Sequence, residues 1–375
     1  MKILHINCNY FGHNPVHINM IKTLDKIVDI ENWVFSPVSK EIVDNSNERI
    51  IACKCINKYD RLFFNHKSRK IRKNLLKNVD IRTFDLLHAY TVFTDGNVAY
   101  ELNKKYGIPY VVAVRSTDVE VFLRYMPHLR KKGIKIMENA SRIFFLSESY
   151  KKYVFDNYIP KKKKNIIKKC VVIPNGIDNF WLDNIYNNQE SFDKKIELLK
   201  NKSLKIVYAG DINTNKNLLT TCKAIDYLKN EGWNIEYIVA GRIKNKKIFN
   251  KIKKYIDYRG KLSKENLLDI YRKAHIFVMP SFKETFGIVY AEAISQGLPV
   301  VYSKGQGFDC QFEEGTVGFH VDSNNYKDIV DVIYKIIDNY KIISNKCTKC
   351  CESFNWNNLC KLYEKIYKEI IEKRG

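Results

Sequence analysis

Two carboxylates stand eight residues apart in the stretch PSFKETFGIVYAEAISQGLPVVYSKGQGF, residues 280–308: Glu284 and Glu292, with a Thr-Phe-Gly turn between them. The pattern predicts that Pro280 ends a strand, that Glu284 falls in the following loop, and that a helix starts near Phe286–Gly287 and runs to about Ser295 with Glu292 in its first two turns. A loop carboxylate beside the backbone N–H groups of Thr285, Phe286 and Gly287 can accept hydroxyl hydrogens. A second carboxylate along the helix can hold a vicinal diol, and the amides can take an anion. Taken alone, Glu292 also reads as an ordinary helix glutamate that offsets the macrodipole.

Cations stand near comparable strand ends. In VYAGDINTNKNLLTTCKAI a strand ends at Gly210, followed by a loop through Asp211 and a helix that begins near Asn215–Leu218. Free N–H groups and the macrodipole make such a helix start attractive to anions. Lys216 sits in the loop or first turn, where its own charge opposes the dipole; a bound anion explains that placement, and an ordinary solvated lysine is the plain alternative. IVAGRIKN repeats the arrangement with Gly241 and Arg242, arginine being the better bidentate phosphate ligand.

The elements that must position these residues follow from hydrophobic patterning. Residues 2–7, 85–90, 110–114, 142–146 and 170–174 read as buried parallel strands, separated by helical stretches such as 93–106 and 118–137. After a polar segment at about 184–203 the alternation restarts, with strands at 204–210, 236–241, 275–280 and 298–303. The expected fold class is α/β, with two doubly wound Rossmann-like domains facing a cleft, because ligands of such sheets bind at the carboxyl ends of the strands. The expected division is residues 1–184, residues 185–352, and a closing helix at 353–375 that returns to the first domain. That last stretch carries apolar residues at Leu359, Leu362, Ile366 and Ile370, which is helical spacing.

Composition bounds the class. The chain has 375 residues, 45% of them hydrophobic and 28% charged, which suits a folded two-domain protein. No apolar run approaches the roughly 20 residues that span a bilayer. The start, MKILHINCNYFGHN, reads as a first strand with no signal-peptide pattern, so the expected location is cytoplasmic. Ten cysteines fit a reducing compartment; Cys347, Cys350, Cys351 and Cys360 have at most one metal-like spacing on a helical stretch, and no metal is expected. The formal charge of +23 comes from 64 basic and 41 acidic residues. It reflects either general lysine richness or an anionic partner. Residues 58–77 hold eight Lys/Arg against Asp60, with Leu62, Phe63, Phe64, Ile71, Leu75 and Leu76 available for an apolar side; residues 151–169 hold eight Lys against Asp156. Both fit an anionic membrane surface or Lys-rich solvated loops.

Read together, these segments resemble the family-four retaining glycosyltransferases of the GT-B fold. The stretch from 280 to 301 is similar to the family's paired-glutamate signature, VVIPNGIDNFW (171–181) to the segment ending its first domain, and GDINTNKNL (210–218) to the loop that grips the donor diphosphate. PYVVAVRSTD (109–118) resembles the acceptor-side strand, and SFNWNNLCKLYEKIY (353–367) the helix that crosses back. The resemblance implies a nucleotide-sugar co-substrate, by family frequency UDP-linked, with no further cofactor, and a glycan or lipid-linked acceptor of cell-surface polysaccharide synthesis. It implies that Glu284 contacts the donor sugar, Glu292 the ribose hydroxyls and Lys216 the leaving diphosphate. The amides of Thr285, Phe286 and Gly287 lie near the sugar and phosphates, Gly12 faces the donor from the first domain, and backbone groups of Lys261 and Leu262 hold the base. There are three departures: Asp211 stands where a basic residue is usual, which makes Arg242 a candidate substitute, and Arg115 stands where a histidine is usual, which points to Arg115 or Asp118 at the sugar or acceptor. His13, where a second loop glycine is usual, is a third. The peripheral location that follows is the inner face of the cell membrane. The competing readings are a basic nucleic-acid-binding protein, disfavoured by paired carboxylates that repel phosphates, and a nucleotide-sugar epimerase on the same fold.

Overall fold

The computed structural model describes residues 1–12, 15–42, 47–61, 63–187 and 189–374; His13 and Leu62 lie outside the described residues. The chain forms two compact units. One comprises residues 1–146, 151–176 and 356–375, the other residues 147–150 and 177–355.

The first unit is built on seven parallel strands: β1 (Lys2–Ile6), β2 (Glu31–Val38), β3 (Ile50–Lys54), β4 (Leu86–Ala89), β5 (Tyr110–Ala113), β6 (Arg142–Phe145) and β7 (Cys170–Val172), in the order β3-β2-β1-β4-β5-β6-β7. The central strands are buried on both faces, as their unbroken apolar runs require. Two of them nevertheless carry histidines. On β1, His5 meets Asn32 Oδ1 through Nε2 at 2.9 Å and Tyr90 Oη through Nδ1 at 3.1 Å; on β4, His88 Nδ1 meets Tyr367 Oη at 2.6 Å. Burial pulls His5 down to about 4, so the ring stays neutral and works as a hydrogen-bonding core residue.

Tyr367 belongs to the closing helix, Trp356–Glu372, which packs against the helix Val16–Leu24. Its buried stripe runs through Trp356, Leu359, Cys360, Tyr363, Tyr367 and Ile370, while Leu362 is exposed. The apolar spacing alone placed Leu362 and Ile366 inward; two tyrosines displace that stripe, Tyr367 because its hydroxyl meets His88 in the core and Tyr363 because its ring packs on His88 and Phe144. The single helix expected at 118–137 is two pieces, a π-helical turn at Asp118–Leu123 and an α-helix at Pro127–Asn139, with Pro127 in the first turn, where proline is tolerated.

The second unit holds six parallel strands: β8 (Ser203–Ala209), β9 (Asn234–Ala240), β10 (Asp257–Gly260), β11 (Ile276–Val278), β12 (Val300–Ser303) and β13 (Gly318–Val321), in the order β10-β9-β8-β11-β12-β13. Gly210 and Gly241 end β8 and β9 with φ of +150° and +148°. A side chain on Gly241 would begin 1.8 Å from the Gly210 carbonyl oxygen, so these two strand ends touch through bare backbone.

Most of the described residues of the two basic segments lie in helices, Phe64–Asn78 in the first and Glu148–Tyr158 and Lys161–Lys169 in the second. Helix Phe64–Asn78 buries Ile71 and Leu75 completely, and Phe64 packs edge-on to Phe93 and Phe122. Of the apolar residues that the sequence offered for a lipid-facing side, Ile71 and Leu75 are therefore spent on the fold, Phe64 and Leu76 are half-buried, and Phe63 is left 65% exposed. Among the described residues no helix is long and apolar enough to cross a membrane, and no group of three His, Cys, Asp or Glu could hold a metal ion.

Candidate functional site

The loop after β8 and the loop after β11 are sewn together by alternate asparagines of the sequence NTNKN. Asn213 Oδ1 accepts the Lys216 N–H at 3.1 Å and closes a 3₁₀ turn, Thr214–Lys216. Asn215 exchanges backbone and side-chain bonds with the other loop: its carbonyl accepts the Phe282 N–H at 2.9 Å, and its Nδ2 donates to the Lys283 carbonyl at 2.8 Å. Asn217, left-handed at φ +56°, is buried and donates Nδ2 to the carbonyls of Pro280 and Ser323 at 3.0 and 2.6 Å. The helix Leu218–Asn230 starts directly after it. Asparagine tolerates the left-handed region and satisfies loop carbonyls with its own amide, which is why it recurs at these positions.

This stitching brings Lys216 and Glu284 together. Lys216 Nζ donates to Glu284 Oε2 at 2.6 Å, both side chains being mostly but not wholly covered. The other carboxylate oxygen, Oε1, accepts the Thr285 N–H at 3.2 Å. The Glu284 N–H goes to Gln306 Oε1 at 2.9 Å, and the Glu284 carbonyl accepts the Gly307 N–H at 2.7 Å. Gly307 lies directly against the Thr285–Phe286 peptide: a Cβ there would fall 2.1 Å from the Thr285 carbonyl. Only a glycine permits that approach. Phe286 is buried among Phe308 and Phe354. Gly287, at φ +79°, starts the helix Ile288–Ser295, one residue later than the spacing suggested.

Glu292 lies on that helix and is partly covered. Its neighbours are Lys264, Asp178 and Trp181, with Lys264 Nζ 2.6 Å from Asp178 Oδ2. Burial, reinforced by Asp178, pushes the Glu292 carboxyl up to about 7 in spite of Lys264 and the Trp181 indole, which act the other way. Lys261 and Leu262 occupy the short loop between β10 and the helix Lys264–Lys273, whose start Ser263 caps by accepting the Asn266 N–H. At the ends of β8 and β9, Arg242 forms a two-pronged ion pair with Asp211, Nε to Oδ1 at 2.9 Å and Nη2 to Oδ2 at 3.0 Å. The arginine raised as a replacement cation thus shares its charge with the acid that stands in the basic residue's place.

Three sequence-derived residues belong to the first unit. Gly12 forms a tight turn after β1, its N–H bonded to the Asn9 carbonyl at 3.1 Å. Arg115 follows β5 and donates Nη1 to Asn175 Oδ1 at 3.3 Å. Asp118 is fully buried, and its carboxylate accepts the N–H groups of Phe93 at 3.1 Å and Arg115 at 2.9 Å. Asp118 therefore ties the loops after β4 and β5 together and fixes the backbone of Arg115. His17, which the sequence reading did not single out, packs 4.6 Å from the Tyr90 ring, and burial with the nearby Arg115 charge drives it down to about 3. Gln306 was missed as well; the signal for it was the Gly-Gln-Gly at 305–307, whose second glycine the close packing on residues 285–286 requires.

Residues 189–352 match the family described as "Glycosyl transferases group 1", and residues 19–179 match "Glycosyltransferase Family 4". An uncharacterized glycosyltransferase of Methanocaldococcus jannaschii is 25% identical over 97% of this chain and 96% of its own length. The alpha-monoglucosyldiacylglycerol synthase of Acholeplasma laidlawii is 23% identical over 84% of this chain and 80% of its own. Among solved structures, the Anabaena protein HepE in complex with UDP superposes with a TM-score of 0.71 at 14% identity, covering 98% of this chain and all of that one.

Proposed function

We propose that this chain, which belongs to the group 1, family-four glycosyltransferases and so moves a sugar from a nucleotide-sugar donor, takes a UDP-hexose or UDP-N-acetylhexosamine and delivers the sugar to a glycan or lipid-linked saccharide. The observation that carries this reading is the Lys216–Glu284 pair, a cation and a hydroxyl acceptor held side by side at the carboxyl ends of adjacent parallel strands. In this reading Lys216 takes charge from the leaving diphosphate and Glu284 accepts hydroxyl hydrogens of the donor sugar. Glu292 holds the ribose hydroxyls, the amides of residues 285–287 lie along the sugar and phosphates, and the backbone of Lys261 and Leu262 meets the base. Gly12 lies against the donor, and Arg115, positioned by Asp118 and Asn175, meets the sugar or the acceptor.

Retention of anomeric configuration passes through an oxocarbenium-like sugar separating from a diphosphate, so the main task is electrostatic: fixed donors aimed at charge that grows on the leaving oxygen. Lys216, paired with Glu284 as Arg242 is with Asp211, is the side-chain cation proposed for that task, with helix-start amides beside it. HepE's complex with UDP supports the choice of base, and the diacylglycerol-glucosylating relative supports an acceptor carried at a lipid surface.

A thermal-shift screen with UDP and GDP sugars tests the donor. UDP-linked sugars should raise the melting temperature of the wild type and lose that effect in Lys216→Ala. A chain that melts at the same temperature with every nucleotide sugar, at concentrations far above millimolar-range KM values, would refute the reading.

A further inference from the structure

Beside the Lys216–Glu284 loops, the second unit has a groove of about 790 Å³ that none of the roles above uses. Its floor is the carboxyl ends of three neighbouring strands. Phe282 comes from the loop after β11, Lys304 and Gln306 from the loop after β12, and His320 to Asn324 from β13 and the turn behind it. One wall is a single helical face, Asp328, Asp331, Val332 and Lys335 of the helix Tyr326–Asp338. Glu314 closes the other side, 3.4 Å from His320 Nδ1.

The lining chooses among ligand classes. Four carboxylates, Glu314, Asp322, Asp328 and Asp331, outnumber the two lysines, so a phosphate-bearing ligand is repelled. The carboxylates do not converge as a metal-holding group among the described residues. What remains is a dense mixture of acceptors and donors: carboxylates, the Gln306 and Asn324 amides, an imidazole and two ammonium groups. Two of the acids are held rigidly. Asp322 Oδ1 accepts the Asn324 N–H at 2.9 Å, and Asp328 accepts the Asp322 N–H and Asn325 Nδ2. Over this polar floor Phe282 keeps 39% of its surface exposed. An uncovered aromatic ring next to fixed hydroxyl partners suits a neutral, polyhydroxylated ligand with one apolar face, and the volume falls in the range of small-molecule sites.

We infer that this groove is a saccharide subsite that holds neutral sugar residues of the acceptor. The inference rests on the donor reading above, and Gln306 is the link: it lines the groove while its Oε1 accepts the Glu284 N–H at 2.9 Å. A sugar in the groove would therefore adjoin the loop proposed to hold the transferred sugar.

The test uses the whole chain with maltose, cellobiose and N,N′-diacetylchitobiose as probes, read by saturation-transfer NMR and titration, and with UDP read separately by thermal shift. Phe282→Ala removes the ring, and Asp331→Arg fills the groove from an exposed helix position. At least one disaccharide should bind the wild type, and each substitution should weaken it by about tenfold or more while the UDP shift stays as in the wild type. Absence of binding by all three disaccharides, or equal binding in wild type and both variants, overturns the subsite and leaves the donor reading standing. Variant-sensitive disaccharide binding without any UDP shift keeps the groove as a saccharide site and defeats the donor reading instead.

Discussion

Lys216 is the residue on which the chemistry turns, and its loss has a calculable cost. Removing one preorganised donor from a site of this kind lowers turnover by about 10²–10³. Lys216→Ala should fall in that range in a glycosyl-transfer assay and keep a cooperative melt, because the ammonium sits at a loop and not in a core. Near-normal turnover would remove it from the mechanism. Glu292 makes a different prediction. With its carboxyl pushed up to about 7 by burial, the ionised form that accepts two ribose hydroxyls is abundant above that pH and is lost below it. Affinity for UDP should therefore weaken as pH falls from about 8 to about 6. Glu292→Gln keeps an acceptor oxygen but cannot titrate, and should bind more weakly with a flat profile over the same span. A wild-type profile that is already flat would place Glu292 away from the ribose.

At the scale of elements, the stitched loop pair should behave as one unit. Asn217→Ala would strand the Pro280 and Ser323 carbonyls and force alanine into the left-handed region at φ +56°. The two costs together should destabilise the chain by about 2–4 kcal/mol in a denaturant melt. Asn217→Gly relieves the backbone part only, and should lie between alanine and wild type. If glycine were as stable as asparagine, the two side-chain bonds would carry no weight. The nine strands read from sequence all exist; the inner ones are apolar runs largely buried on both faces, while β7 is a half-exposed edge strand. β3, β10 and β13 were not legible because these half-exposed edge strands, with sequences such as IIACK and DYRG, mix polar and apolar residues; the edge strand β7 was legible only because CVVIP is an unbroken apolar run. β2 escaped for another reason, its run being interrupted by Asn32, Ser36 and Pro37, of which Asn32 is the buried partner of His5. The pairing of Glu284 with Lys216 was legible only as two loops at strand ends. What joins them is a set of side-chain to backbone bonds from asparagines and Gln306, and no spacing rule encodes those.

For the molecule as a whole, the +23 charge needs a destination, and the structure narrows how a membrane could be one. Between helix Phe64–Asn78 and helix Thr94–Tyr106 runs a groove of about 550 Å³ lined by Arg69, Arg72, Lys73, Lys104 and Lys105, with Glu101 as the one acid in its lining. Glu101 is already engaged, 3.5 Å from Arg72. Because Ile71 and Leu75 face the core, this surface can attract anionic headgroups but has little to insert among acyl chains. Attraction of this type is worth about 1 kcal/mol per Lys or Arg near the surface and decays within a Debye length of roughly 10 Å at 0.1 M salt. The chain should therefore sediment with vesicles rich in phosphatidylserine or phosphatidylglycerol at low salt, stay in the supernatant with phosphatidylcholine vesicles, and release from the anionic ones as salt is raised. Reversing Arg69, Lys73 and Lys105 to glutamate should abolish the low-salt sedimentation without changing the UDP thermal shift, since none of the three lies in the unit that holds Lys216 and Glu284. Binding that survives high salt would mean that apolar groups do enter the bilayer, with Phe63 the first residue to replace. Failure to sediment with anionic vesicles at low salt would leave the basic excess as composition alone.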